Sequence, residues 1–379
     1  MTETGVRLGD VVPSRHPTSR AAPRTEVQLD RVLATRVTVQ RRRAGHVQGR
    51  SCERDTREPR TAVELPTAVA VAHEGKRRLA LQPQRAVNGS RGRIPLMSVS
   101  GSSGASVAIV TGGASGIGRA MGLQLGRRGV EVVVADRQTD LAAEVARDIE
   151  AAGGRARAVP LDVRDFAAFR AVVDDAVSRG RRLEYLFNNA GIGVAGEMDG
   201  YSLEDWNDVL DVNLRGVVHG IQCAYGVMIR QGSGHIVNTA SMAGLVPAVG
   251  EGSYTATKYA VVGLSRSLRI EAKRHGVRVS VLCPGAIRTP ILSGGKFGRI
   301  NVPGITDEKM RSLWEPLRPM DVDVFARRVL AAIDRNEAVI IEPPWWRALW
   351  YLKRFSPAMS SALWGAGLRL MRRRLAADG

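Results

Sequence analysis

From residue 107 onward the sequence alternates short runs of β-branched and aliphatic residues with longer amphipathic stretches, and few folds accept that alternation. Residues 107–110, 131–134, 156–161, 183–187, 235–237, 277–282 and 338–341 are short and rich in Val, Ile and Leu, so each reads as a buried strand. Between them, segments such as 141–152 and 166–177 carry helical periodicity. A strand, a helix and a second parallel strand form a right-handed crossover. The pattern therefore predicts an α/β, Rossmann-like doubly wound parallel sheet in one globular domain over residues 98–344, long enough to bury a substantial core.

The formal net charge of +18 belongs to the two ends of the chain. Residues 1–97 hold 19 Lys+Arg against 9 Asp+Glu and residues 345–379 hold 7 against 1, which leaves 29 against 27 in between. The predicted domain is nearly neutral, so the charge says little about its partners. Residues 1–97 mix Arg, Pro, Thr and Gly without a sustained period, which predicts a disordered basic extension. That arm lacks interleaved aromatics and any nucleic-acid-binding motif, so no specific nucleic-acid partner is expected. The run from Met97 leads straight into the first strand, and Met97 is the expected start of translation, with residues 1–96 upstream of it. Cys52, Cys223 and Cys283 are too scattered for a disulfide framework or a zinc site. With no secretory core and no run of ~18 apolar residues, a cytoplasmic location is expected.

After the first strand comes Thr111-Gly112-Gly113-Ala114-Ser115-Gly116-Ile117-Gly118, then a helical pattern. Glycines at such a turn let backbone N–H groups approach a diphosphate at a helix N-terminus, although a strand-to-helix turn alone can also demand them. The second strand ends at Asp136, whose carboxylate can accept from both ribose hydroxyls and would repel a 2′-phosphate. Arg137 follows and partly reverses that preference, so NAD is favoured and NADP remains open. The competing role for Asp136 is to start the next helix. Polar residues also gather at later strand exits: Asn188-Asn189-Ala190-Gly191, Asp211-Val212-Asn213 and Asn238-Thr239-Ala240-Ser241. In a doubly wound sheet those exits form the ligand crevice. Tyr254 and Lys258 then stand four residues apart, on one helix face.

Taken in this order and spacing, the glycine turn, Asn-Asn-Ala-Gly, Asn213, Ser241, Tyr254 and Lys258 make residues 107–341 resemble the short-chain dehydrogenase/reductase family in its single-domain form. The resemblance implies a hydride exchanged between a nicotinamide dinucleotide and an alcohol or ketone, with Asn213, Ser241, Tyr254 and Lys258 catalytic. Tyr254 would be the acid/base, its phenol lowered by Lys258 and by the oxidised nicotinamide. Ser241 would meet the substrate oxygen, and Asn213 would hold a water that links Lys258 to solvent. By the same resemblance, Gly112, Ser115, Gly116, Ile117 and Gly118 cradle the diphosphate, while Asp136 and Arg137 meet the ribose. Asp162 and Val163 flank the adenine, and Asn189, Ala190, Gly191 and Val212 line the groove. Pro284, Gly285, Ile287 and Thr289 pass the nicotinamide, and Lys258 holds its ribose. A homo-oligomer, dimer or tetramer, assembled on the Tyr254 helix is implied too. A sugar-nucleotide epimerase is disfavoured because no extra substrate domain follows, and an enoyl reductase because its tyrosine and lysine stand farther apart. The alternative from another class is a catalytically idle dinucleotide-binding sensor or scaffold, which would not need the four catalytic residues.

Between Thr289 and Asp321 glycines and prolines interrupt Ile291, Leu292, Phe297, Ile300, Met310, Leu313 and Trp314. That composition suits a flap over an apolar alcohol or ketone, and Met242, Leu245 and Val246 beside Ser241 lean the same way. Residues 345–379 combine four tryptophans with Arg372-Arg373-Arg374, and Pro357 should divide them into two helices. Such a basic amphipathic tail is expected either to touch a membrane surface peripherally or to pack on a neighbouring subunit or the substrate cleft.

Overall fold

The structure is a computed structural model that describes residues 105–178, 181–293, 295–301 and 305–377; the expected basic extension and the Met97 start lie outside these residues. Seven parallel strands form the central sheet. They are β1 (Ser106–Thr111), β2 (Glu131–Asp136), β3 (Arg155–Pro160), β4 (Arg182–Asn188), β5 (Gly234–Thr239), β6 (Val277–Pro284) and β7 (Val339–Glu342). Their order in the sheet is β3-β2-β1-β4-β5-β6-β7. β1 pairs in parallel with both β2 and β4, so the winding reverses there and opens a crevice at the carboxyl ends of the strands.

All seven strands expected from sequence are present, with one difference in burial. β3 is only partly buried because it is an edge strand, hydrogen-bonded on one side to β2. The central strands alternate their side chains between two cores. Val107, Ile109 and Val133 face one core; Ala108, Val110, Val132 and Val134 face the other. The first core is covered by α3 (Phe166–Ser178), α5 (Gly216–Gln231) and α6 (Gly252–Ala272), through residues such as Phe169, Ala224 and Val261. The second is covered by α1 (Gly116–Arg127), α2 (Thr139–Ala151) and α8 (Val322–Asp334), through Met121, Ile149 and Phe325. Phe169, Phe187 and Phe325 are essentially inaccessible to solvent, and burying each contributes about 1.5–3 kcal/mol.

The remaining helices frame the crevice. α4 (Leu203–Leu210) begins in a capping box, in which Ser202 and Asp205 satisfy each other's backbone N–H groups. It runs through a π turn at Asp211–Arg215 into α5. Past β6, the irregular segment contains a short strand, Arg299–Ile300, paired in parallel with Val194–Ala195, and then α7 (Asp307–Trp314). After β7 the chain forms α9 (Trp346–Phe355) and α10 (Pro357–Ala377), divided at Pro357 as the sequence predicts. No helix among the described residues is long and apolar enough to cross a membrane.

Candidate active site

The carboxyl ends of the strands open into a cleft of about 1110 Å³. One half is built by the turn after β1. Gly112 has φ +64°, and a Cβ there would stand 2.8 Å from Ala190 Cα; Gly116 has φ +50° and lies against Thr289. Ser115 occupies the N-cap of α1 without capping it, and no acidic residue stands in the first turn. The hydroxyl and the unpaired N–H groups of that turn thus remain for an anion. Gly118 lies behind the turn, where its missing side chain lets α1 approach Gly112 O. Asn189 braces the same turn by donating to Thr111 O (3.1 Å) and Gly112 O (3.3 Å).

Asp136, nearly buried at the end of β2, accepts from Ala114 N (3.0 Å) through Oδ2 and from Gln138 N (2.9 Å) through Oδ1. Each oxygen keeps a second acceptor direction. Its neighbour Arg137 points elsewhere, with Nε 3.6 Å from Asp162 Oδ2 and the guanidinium 4.6 Å from the Phe297 ring centroid. The Asp162 carboxyl is raised by burial but brought below its ordinary value by hydrogen bonds from Arg164 and the charges of Arg164 and Arg137. Val163, Ala190, Gly191 and Val212 continue the wall, and Pro284, Gly285, Ile287 and Thr289 also line the cleft.

The other half holds the polar cluster. Tyr254 and Lys258 project from α6 into the cleft, the Lys258 Nζ 5.2 Å from the Tyr254 ring centroid. Lys258 Nζ donates to Thr239 O at 2.9 Å. Ser241 caps a short 3₁₀ turn by accepting from Ala243 N (3.1 Å) and is a hydrogen-bond partner of Tyr254. Asn213 sits not at a strand exit, as expected from sequence, but in the π turn between α4 and α5, a backbone irregularity frequent at functional sites. Its amide group is spent on Ile192, accepting from Ile192 N and donating to Ile192 O, both at 2.9 Å. Gly191 separates Asn213 from Lys258, and a Cβ there would meet Asn213 Oδ1 at 3.3 Å and Lys258 Nζ at 3.5 Å. Burial pushes the Tyr254 phenol up, the charge of Glu251 adds to this, and the Ser241 hydrogen bond opposes it. Burial also brings the Lys258 ammonium down to about 8. Within the protein alone, then, burial outweighs any lowering of the phenol by its lysine neighbour.

A match to the short chain dehydrogenase family covers residues 106–295. The chain belongs to that family. Among its relatives is the 2,5-dichloro-2,5-cyclohexadiene-1,4-diol dehydrogenase LinX of Sphingobium indicum, 38% identical over 185 residues, which cover 49% of this chain and 74% of that protein. The cyclohexanol dehydrogenase of an Acinetobacter species is 38% identical over 188 residues, covering 49% and 75% respectively. A short-chain dehydrogenase/reductase from Burkholderia phymatum, solved in complex with NAD, superposes with a TM-score of 0.62 at 31% identity, covering 68% of this chain and 95% of its own. The protein is therefore an oxidoreductase of this family with a Rossmann-like nicotinamide-dinucleotide fold.

In this dehydrogenase the apolar end of the cleft draws on segments far apart in sequence. Ile291, Leu292, Ile300, Met310, Leu313 and Trp314 line the cleft, with Met242 and Val246, while Phe297 lines it beside Arg137 and Leu245 packs into the core instead. The tail supplies a further wall. Trp346 is buried against Gly285, and Trp364, Leu368 and Leu370 of α10 line the same cleft as Tyr254. Arg372 anchors α10 by donating from Nε to Glu197 Oε1 (2.7 Å) and from Nη2 to Glu197 Oε2 (2.5 Å). The sequence allowed this covering role for the tail's tryptophans, but it gave Thr239 no role beyond its strand exit and did not mark Glu251. The three-residue step from Glu251 to Tyr254 was the one signal available for Glu251.

Proposed function

We propose that the protein transfers hydride between a nicotinamide dinucleotide, NAD in preference to NADP, and apolar secondary alcohols or ketones, with Tyr254 as the proton donor and acceptor. One observation carries the reading. Tyr254, Ser241 and Lys258 converge on an apolar cleft whose other end is a glycine cradle that a Cβ would fill. That cradle, Ser115 and the first turn of α1 suit a diphosphate, and the free acceptor directions of Asp136 suit a ribose diol. When bound, the dinucleotide supplies the hydride donor or acceptor and, oxidised, a positive charge.

Ser241 hydrogen-bonds the substrate oxygen and turns its carbon toward the groove, while Tyr254 exchanges the hydroxyl proton. Lys258 stabilises the phenolate electrostatically and holds the ribose side of the groove. Asn213, locked to Ile192 beside Lys258, keeps the inner end of that path in place, where a water would lead protons to solvent. Asp136 repels a 2′-phosphate, and Asp162 together with Phe297 holds Arg137 aside, which supports NAD. Relatives named for cyclic alcohols support an apolar, ring-shaped substrate.

Exposed Ile270 on α6 supports assembly of a dimer or tetramer through that helix. The proposal includes a cytoplasmic location; exposed Phe355, Met359 and Leu363 on the tail support a peripheral membrane contact as well. The test is turnover of cyclic, sterol-like and straight-chain alcohols by the full chain with NAD and with NADP, followed by absorbance of the reduced nicotinamide. Equal turnover by Tyr254→Phe removes the proton assignment. Binding of the dinucleotide without any turnover favours the sensor or scaffold reading.

A further inference from the structure

The cleft contains a carboxyl that the proton chemistry does not use. Glu251 occupies the N-cap of α6, three residues before Tyr254, yet its side chain makes no capping bond to the helix. It lines the cleft instead, and no hydrogen bond or ion pair among the described residues engages its carboxyl. The groups around it are already committed. Tyr201 donates its hydroxyl to Val194 O (2.7 Å) and Gly250 O (3.2 Å). Of the cleft-lining arginines, Arg299 pairs with Asp205 (2.7 Å) and Asp208 (2.6 Å), Arg372 pairs with Glu197, and Arg137 leans on Asp162. Of the cleft-lining lysines, Lys258 donates to Thr239 O and Lys296 Nζ lies 5.9 Å from the Phe297 ring centroid; among the described residues no cation pairs with Glu251, although its charge is felt by both Tyr201 and Tyr254.

Burial pushes the Glu251 carboxyl up to about 7. Near neutrality it exists in both forms: the charged form accepts a hydrogen bond, and the neutral form can also donate one. A half-buried carboxyl is satisfied only while water reaches it. A substrate that fills the apolar cleft displaces that water and loses affinity unless it brings a donor of its own. A donor on Glu251 also draws its charge away from Tyr254, whose phenol that charge holds up.

We propose that Glu251 is a substrate-binding residue that holds a second hydroxyl of the substrate, so that the preferred alcohols are diols with an apolar frame. The inference rests on the reading of Tyr254 and Ser241 as the site of the reacting hydroxyl. Glu251 stands at the N-cap of α6, three residues before Tyr254, and both side chains line the same cleft, so one substrate can reach both. A cyclic 1,4-diol spans the two positions.

The experiment compares cyclohexane-1,4-diol with cyclohexanol on the full chain, Glu251→Gln and Glu251→Leu, in the presence of NAD. Turnover and the quenching of tryptophan fluorescence are read separately, since Trp314, Trp346 and Trp364 line the cleft. In Glu251→Leu the diol-to-cyclohexanol ratio of kcat/KM should fall about ten- to a hundred-fold, as for a lost hydrogen bond to a charged group. Glu251→Gln, which keeps shape and polarity, should lose less. A merely structural role for Glu251 lowers both substrates together and leaves the ratio in place. An unchanged ratio in both variants overturns the proposal. If the native chain turns over neither alcohol yet binds the diol more tightly in a Glu251-dependent way, the hydride reading falls and this one stands. Equal quenching by diol and cyclohexanol, with or without turnover, sinks it.

Discussion

Gly118 and Gly122 stand one turn apart on α1, and the same substitution should move the protein in opposite directions at the two positions. A Cβ at Gly118 would lie 2.8 Å from the Gly112 carbonyl carbon and 2.8 Å from Asn189 Nδ2, and closer still to Gly112 O. Ordinary Cβ contacts begin near 3.4 Å, so helix and turn must separate by roughly 0.6 Å (3.4 less 2.8) or more. Neither neighbour yields freely. Gly112 sits in the left-handed region at φ +64°, and the Asn189 amide is committed to Thr111 O and Gly112 O. Overpacking of this kind costs about 1–3 kcal/mol. At Gly122 a Cβ would meet Ile149 Cδ1 at 3.5 Å and Val132 Cγ1 at 3.6 Å, ordinary contacts, and alanine inside a helix gains about 0.5–1 kcal/mol over glycine. Gly118→Ala and Gly122→Ala should thus differ by about 1.5–4 kcal/mol in stability. At ~2–4 °C per kcal/mol for a domain of this size, thermal melts should separate them by roughly 3–16 °C. Titration with the dinucleotide should show weaker binding for Gly118→Ala alone, because the turn that it displaces is the one proposed to hold the diphosphate. Coincident melts would refute the reasoning, since backbone clearance would then not be what Gly118 provides.

Three further outcomes follow from the cleft. Tyr254→Phe should lower kcat about 10²–10⁴-fold while dinucleotide affinity stays near that of the native chain, as measured by steady-state kinetics and fluorescence titration. Lys258 titrates near 8 in the folded protein against 10.5 for a free lysine, so between those values the unfolded chain binds more protons and folding stability rises with pH. Urea midpoints should therefore climb from pH 8 to 10.5 for the native protein relative to Lys258→Met; a constant difference would mean that Lys258 is not desolvated. Ending the chain after Ser356 removes Trp364, Leu368 and Leu370 from the cleft wall. It should reduce kcat/KM for bulky apolar alcohols more than for small ones, and an equal loss for both would assign α10 to folding alone. In the same variant, unchanged partition between membrane pellet and supernatant would dismiss a membrane role for the tail.

What the sequence made legible and what it hid have different physical causes. Strands β1 and β2 are buried on both faces and write themselves as the unbroken apolar runs Val107–Val110 and Val132–Ala135, whereas β5 and β6, also largely buried, admit His235, Asn238, Arg278 and Ser280 among their apolar residues. β3 carries Arg155 and Arg157 beside Ala156, Ala158 and Val159 and is less buried, because edge position depends on strand order, a property of the whole sheet. Tyr254 and Lys258 were legible because a four-residue step fixes their common helix face before any tertiary contact forms. The electrostatics were not. The sequence places a cation beside the phenol and suggests a lowered pKa, yet burial moves both groups the other way, and burial is set by how β5, β6 and α6 close around them.

The distal half of the site was hidden for a different reason. Glu251 reads as a helix-start carboxylate, a common and unremarked use of acidic residues. Only its failure to cap α6, and its place on the cleft wall, reveal that the side chain is spent elsewhere. Arg137 looks like a phosphate ligand next to Asp136 until Asp162 and Phe297, 25 and 160 residues away, are seen to hold it. The tail shows the same effect at the longest range, since Arg372 meets Glu197 across 175 residues. The residues that handle the shared chemistry are written as local motifs on single elements. Those that shape the substrate end come from four separate segments, which allows that end to change without disturbing the dinucleotide cradle. A change at Trp364, Leu368 or Glu251 should therefore shift which alcohol is accepted, whereas a change at Gly118 should disturb binding of the dinucleotide for every substrate alike.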